Sequence, residues 1–160
     1  MYKVSLAIPI YNVSLFVERA LLSVLNQTYD NIEYLIVDDK GQDDSMDIVH
    51  RIIKDHPRGK DVRIIEHPYN IGLGATRNTA IDNAQGEYLF FMDSDDEIIP
   101  TCIEILVHKM QEHPVDFIAA SHMKKDLSGK TYPTYTYSPI LIQGDDLPVA
   151  QYRYAQNNDI

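Results

Sequence analysis

Gly86-Glu87-Tyr88-Leu89-Phe90-Phe91-Met92-Asp93-Ser94-Asp95-Asp96 is the stretch that decides the fold. An apolar run of strand character ends by delivering three carboxylates within four residues. Like charges this close repel one another, so folding gains nothing from them. A hard divalent cation seated among the oxygens gives the cluster a physical reason. A solvated acidic turn that also caps a helix beginning near Pro100 is the better account of a lone Asp-x-Asp, since such triplets are common by chance. The surrounding sequence has to decide.

Outward from that stretch, strand and helix alternate along the chain. Val4 to Pro9 is a short apolar strand, and Val17, Ala20, Leu21, Val24 and Leu25 then fall at helical spacing. Ile32 to Val37 is a second strand ending in Asp38-Asp39, followed by a helix marked by Met46, Val49, Ile52 and Ile53 and capped by Asp43, Asp44 or Ser45. His56-Pro57-Arg58-Gly59 breaks that helix. Val62 to Glu66 is the third strand, Thr76 to Ala84 the third helix, and Glu87 to Met92 the fourth strand. Pro100 opens a helix with Ile103, Leu106, Val107 and Met110 on one face, and Val115 to Ala120 reads as a fifth strand. This order predicts an α/β fold: a mostly parallel, Rossmann-like central sheet with helices on both faces. Ligands of such sheets bind beyond the carboxyl ends of the strands, where Asp38, Asp39, Asp93, Asp95 and Asp96 all stand.

The 160 residues show no internal repeat or linker and read as a single domain, with 1–121 as its core and 122–160 as the incomplete start of a further region. In that region Thr131 to Tyr137 has β character, Ile140 to Ile142 reads as a short strand, and a helix starts near Asp145. The polar last ten residues stop in mid-pattern, as though a longer protein continued. With 24 acids against 14 Lys and Arg, the net charge of −10 argues against nucleic-acid or anionic-membrane binding, because no basic block exists to neutralise phosphates. The lone Cys102 excludes a disulfide framework and a Cys-based zinc site. No apolar stretch approaches the roughly 20 residues that span a bilayer, and no signal peptide precedes the first strand, so a cytoplasmic location is expected. The six histidines form no ligand pair at helical spacing, which leaves them surface or packing roles. Tyr132, Tyr135, Tyr137, Tyr152 and Tyr154 read as an exposed sheet face or a homo-oligomer contact before a sugar-stacking platform.

Three further segments carry chemistry. In Pro9-Ile10-Tyr11-Asn12, Pro9 ends the first strand's hydrogen-bond ladder and Tyr11 offers a face for a planar base, although a packed turn tyrosine explains it alone. A carboxylate of Asp38-Asp39 can accept the imide N–H of uracil, and equally can stabilise a helix N-terminus. In Asn70-Ile71-Gly72-Leu73-Gly74-Ala75-Thr76-Arg77-Asn78, the glycines permit close backbone approach, and Arg77 can reach phosphates or brace the acids. This segment is neither the dinucleotide fingerprint nor a P-loop.

Together these segments resemble the nucleotide-sugar half of family-two glycosyltransferases, which have the GT-A fold. Pro-x-Tyr-Asn is matched at residues 9–12, Ser-x-Leu-x-Gln-Thr by Ser23 to Thr28, and Val-Asp-Asp by Val37 to Asp39. Asn-x-Gly, x-Arg-Asn, Gly-Glu-Tyr and the Asp-x-Asp-Asp acids follow in register over about residues 3–120. The resemblance implies an inverting, metal-dependent transfer of sugar from a UDP-sugar to an acceptor hydroxyl, on a carbohydrate or lipid-linked acceptor, in polysaccharide or glycoconjugate synthesis. It implies a nucleotide-sugar site of Pro9, Tyr11, Asn12, Asp38, Asp39, Gly72, Arg77, Asp93 and Ser94, and a metal site for Mn²⁺ or Mg²⁺ of Asp93, Asp95 and Asp96, with Asp93 and Asp95 holding ribose and metal and Asp95 or Asp96 the direct ligand. Peripheral contact of a full-length protein with the membrane is compatible with such acceptors. Lys40-Gly41-Gln42 departs from the family's Gly-Ser-Thr, and Thr76 from its Ala.

The family's general base lies further along than this sequence reaches. Asp145 and Asp146 are weak candidates that look more like a helix cap after Gly144, so the chain is expected to bind UDP and metal but transfer poorly. A non-catalytic nucleotide-sugar-binding module is the alternative. A nucleotidyltransferase would need a basic glycine loop after the first strand, and a receiver domain would need its acid pair there. Pro9 to Ser14 has neither.

Overall fold

The computed structural model describes residues 1–126 and 128–135. Its elements are β1 (Val4–Ile10), α1 (Val17–Leu25), β2 (Ile32–Asp38), α2 (Ser45–Asp55), β3 (Val62–Glu66), α3 (Leu73–Asn83), β4 (Tyr88–Phe91), α4 (Cys102–Glu112), β5 (His122–Lys125) and β6 (Thr131–Tyr135). They belong to two compact units, Met1–Val115 and a second that begins at Asp116.

In the first unit all strand pairs are parallel, in the order β3-β2-β1-β4. Strand alternation sends Val4, Leu6, Ile8, Ile10, Ile32, Tyr34 and Ile36 to one face, against Val17, Leu21 and Leu25 of α1, Val49 and Ile52 of α2, and Ile103 and Val107 of α4. Ala7, Leu35 and Val37 point the other way, against Ala80 of α3. The chain winds from β1 through α1 and α2 to β3, then crosses back through α3 to β4 on the other side of β1. That reversal puts the topological switch point between β1 and β4.

β1 runs one residue past Pro9, which pairs with Val37, so Pro9 does not end the ladder. The Ala7 carbonyl faces β4, where it accepts the Met92 N–H at 3.0 Å, and the Ile10 carbonyl faces β2, where it accepts the Asp39 N–H at 3.0 Å. By alternation the Pro9 nitrogen faces the β4 side, beyond the last β1–β4 pair, Ala7 with Phe91. A missing N–H costs nothing there.

Val115 to Ala120, expected as a fifth strand, is not one: Phe117 is exposed and residues 114–121 lie outside any strand. An apolar run forms a strand only against a partner edge, and none pairs with it among the described residues. Instead, the second unit contains the antiparallel pair β5–β6. Ile140 to Ile142, the helix at Asp145, and Tyr137, Tyr152 and Tyr154 lie outside the described residues. No helix among the described residues is long and apolar enough to cross a membrane.

Gly86 explains the start of the Gly-Glu-Tyr stretch. A Cβ there would stand 2.6 Å from the Ser5 nitrogen and 2.7 Å from the Lys3 carbonyl oxygen. The Gly86 N–H donates to the Ser5 hydroxyl at 2.8 Å, and the Glu87 N–H to the Lys3 carbonyl at 2.8 Å, feeding β4 against β1. Gly86→Ala is therefore expected to lower stability by about 1–3 kcal/mol, as overpacking does. Urea unfolding of the two proteins measures this; an unchanged midpoint would show that the edge yields freely.

Candidate functional site

The site assembles at the carboxyl ends of β1, β2 and β4. β2 ends at Asp38, and Asp39 follows, buried at 2% exposure. The Asp39 Oδ1 accepts the Ile71 N–H at 2.9 Å and lies 2.8 Å from His67 Nδ1, while Oδ2 accepts the Gly72 N–H at 2.9 Å. Burial by itself would raise the Asp39 carboxyl, but the Ile71 and Gly72 N–H groups and the His67 ring together hold it below the usual carboxylate range. Gly72 turns the chain into α3 at φ +89°, with nothing within 4 Å of a hypothetical Cβ, so the backbone angle and not crowding favours glycine.

Asp38 is engaged differently. Its Oδ1 accepts the Lys40 N–H at 2.8 Å and its Oδ2 the Lys40 ammonium at 2.9 Å, and the same ammonium reaches Glu66 at 2.6 Å. Hydrogen bonds to Glu66 and then Asp38 hold the Lys40 ammonium above its ordinary value. Lys40 stands at φ +56°, so the departure from the family's glycine puts a strained backbone and a cation beside Asp38. Asn12, at φ +52°, accepts the Gln42 N–H on its side-chain oxygen at 2.7 Å, and a Cβ on Gly41 would meet the Asn12 nitrogen at 2.8 Å. The turns after β1 and β2 are thus stitched together, with Tyr11 46% exposed at their rim.

After β4, Asp93 to Asp96 form a turn closed by the Asp96 N–H on the Asp93 carbonyl at 3.1 Å. Asp93 and Asp95 are exposed and Ser94 is buried. Arg77, from the opening turns of α3, places Nη2 2.7 Å from the Asp93 Oδ1 and its guanidinium 6.0 Å from the Phe91 ring centroid. It braces the acids. As an exposed ion pair it contributes at most about 1 kcal/mol. No three His, Cys, Asp or Glu side chains among the described residues converge closely enough to enclose an ion. An exposed turn with a few carboxylates suits a cation whose remaining ligands are phosphate oxygens and water, as hard cations at nucleotide sites are held.

The Ser23-Gln27-Thr28 signature on α1 and just beyond it, matched in sequence without a role, anchors the segment after these acids. Ser23 Oγ accepts the Ile98 N–H at 3.2 Å. Gln27, 2% exposed, donates to the Ile99 carbonyl at 2.8 Å and accepts the Ile103 N–H at 3.0 Å. The Thr28 N–H donates to the Pro100 carbonyl at 2.8 Å. His67 is the other residue that sequence reasoning undervalued: it is 6% exposed and bonded to an acid. Its only signal was its place at the end of β3. Asp145 and Asp146 lie outside the described residues.

The description "Glycosyl transferase family 2" matches residues 5–155. The chain belongs to this family. It is 32% identical over 151 residues, 91% of its length, to an uncharacterized glycosyltransferase of Haemophilus influenzae, spanning 59% of that protein. It is 37% identical over 129 residues to the Escherichia coli UDP-Glc:alpha-D-GlcNAc-diphosphoundecaprenol beta-1,3-glucosyltransferase WfaP, covering 79% of this chain and 49% of that protein. Staphylococcus aureus TarS in complex with UDP-GlcNAc superposes with a TM-score of 0.65 and 26% identity, over 82% of this chain and 37% of that one. The Pyrobaculum calidifontis mannosyltransferase PcManGT with GDP-Man and Mn²⁺ gives a TM-score of 0.56 and 26% identity, over 60% and 28%. The parallel sheet with helices on both faces is the GT-A architecture of these transferases. The chain spans 59%, 36% and 28% of three curated relatives it matches.

Asp39, Asp43 and Glu33 are all held below their ordinary range, in each case by hydrogen bonds that outweigh burial. A depressed folded-state value adds stability that is complete above the unfolded pKa of about 4 and is lost as pH falls through the folded value. Urea midpoints are therefore expected to hold from pH 7 to 5 and drop below pH 4. Asp39→Asn, which sets an amide NH₂ among N–H donors, is expected to cost about 3 kcal/mol at pH 7 and to flatten that drop. A variant with the parent's acid profile would deny Asp39 this role.

Proposed function

We propose that this chain supplies the nucleotide-sugar side of a glycosyltransferase that uses a UDP-sugar and a divalent cation and transfers with inversion. The observation that carries the reading is the position of Asp39 and of the Asp93–Asp96 turn, at the ends of the two strands that flank β1. That is the crevice in which parallel sheets take ligands. The names of WfaP and of the TarS complex, both of which specify UDP-sugars, support the donor class.

In this reading the uracil stacks on Tyr11 beside Pro9 and Asn12, with its imide N–H on Asp39 and Asp38 close by. Gly72 shapes the loop beneath the base. Asp93 and Ser94 face the ribose, and Arg77 holds Asp93 in place next to the diphosphate. Asp95 or Asp96 would carry Mn²⁺ or Mg²⁺, which when bound offsets the charge of the departing diphosphate. The acceptor hydroxyl attacks the anomeric carbon opposite the diphosphate. The carbon–oxygen bond to the diphosphate breaks as the new one forms, inverting the configuration, and the hydroxyl proton passes to a general base. No described residue is assigned as that base. Residues 122–160 would begin the acceptor side, for a carbohydrate or lipid-linked acceptor at the cytoplasmic face of a membrane.

Titration calorimetry with UDP, CDP and GDP, with and without Mn²⁺, tests the reading. Metal-dependent binding of UDP is expected, weakened at least about tenfold by Asp95→Ala, the loss of about 1.4 kcal/mol. Equal affinity for the three nucleotides, or binding indifferent to Mn²⁺, would refute it.

A further inference from the structure

We propose that His67 is a positioning residue for uridine selectivity: held by Thr79, its ring fixes the Asp39 carboxylate so that one defined lone pair of Oδ2 faces the base. The inference rests on the uracil contact proposed above for Asp39.

A carboxylate offers about four acceptor positions. On Asp39 two of those on Oδ1 are taken, by the Ile71 N–H at 2.9 Å and His67 Nδ1 at 2.8 Å, and one on Oδ2, by the Gly72 N–H at 2.9 Å. One remains, on Oδ2. It can accept a single further N–H, which uracil's imide provides and cytosine's unprotonated ring nitrogen does not. Because the opposite face of Nδ1 is a carboxylate, Nδ1 carries the proton of this contact.

His67 is itself over-determined. Its backbone N–H donates to the Asp38 carbonyl at 2.9 Å, and its Nε2 lies 2.9 Å from the Thr79 hydroxyl, which in turn lies 3.2 Å from the Ala75 carbonyl. The ring therefore joins the end of β3, the end of β2 and the second turn of α3. His67 is 6% and Asp39 2% exposed, so no water shell can replace the ring's hydrogen bond at equal strength. Without the ring, Oδ1 keeps only the Ile71 N–H and Oδ2 only the Gly72 N–H, both donors from one loop, so the carboxylate loses its one anchor to a neighbouring side chain and can turn its open lone pair away from the base. The consequence falls on discrimination between bases more than on binding of the diphosphate.

The test compares the parent chain with His67→Ala, His67→Asn and Thr79→Val, measuring UDP and CDP affinity by calorimetry with Mn²⁺, and stability by urea unfolding. The parent is expected to prefer UDP by about tenfold or more, the discrimination that one satisfied buried hydrogen bond supplies. His67→Ala is expected to reduce that preference to about threefold or less while CDP affinity changes little. His67→Asn, whose amide N–H can stand where Nδ1–H does, is expected to restore most of it, with Thr79→Val intermediate. If His67→Ala does not fold, Thr79→Val decides, by losing or keeping part of the preference. A parent that prefers UDP together with His67→Ala and Thr79→Val variants that keep the full preference would overturn the role of His67 and leave the uracil reading intact. So would parallel losses of UDP and CDP affinity that His67→Asn does not rescue. A parent with no preference for UDP would overturn both.

Discussion

The site depends on one buried acid. Asp39 extends the β1–β2 ladder with its main chain and, with its carboxylate, holds the β3 end through His67 and the entry to α3 through the Ile71 and Gly72 N–H groups. An ionised group at 2% exposure is costly unless its lone pairs are met, so the surrounding loop has little freedom to differ. The same bonds that hold the acid ionised therefore set the shape of the loop from His67 to Gly72. Ligand-facing structure here follows from satisfying a charge.

A second constraint fixes the acids after β4. The segment behind the Asp93–Asp96 turn is clamped by Ser23, Gln27 and Thr28. On the other side Arg77 reaches Asp93. Two independent anchors thus hold an acid-rich turn at the switch point. Lys40 does the equivalent for Asp38, bringing a cation among acids in a chain whose net charge is −10. Of the acids at these strand ends, Asp38, Asp39 and Asp93 are each partnered by a neighbouring donor or cation.

Much of this was legible in the residues, for identifiable reasons. Strands β1 and β2 are near-continuous apolar runs because both faces are buried, and their helices show clean periodicity. The acids stood at strand ends because the apolar runs stopped there. Val115 to Ala120 misled because composition cannot supply a pairing partner. Pro9 misled because its effect depends on which neighbour its nitrogen faces, and that is set by where β4 stops. His67 and Gln27 were undervalued for a related reason: a buried hydrogen bond joins residues 28 and 76 positions apart, and no local pattern records it.

In the proposed function a cation and a nucleoside diphosphate meet at the turn after β4, beside β1. Paramagnetic broadening in ¹H–¹⁵N spectra of the labelled chain, with substoichiometric Mn²⁺ added in the presence and absence of UDP, addresses it most directly. UDP is expected to concentrate the broadening on residues 93–97, the opening turns of α3 and the Tyr11–Asn12 turn. Broadening that UDP does not alter, or that gathers instead at the exposed His108 and Glu112 of α4 and spares residues 93–96, would contradict it.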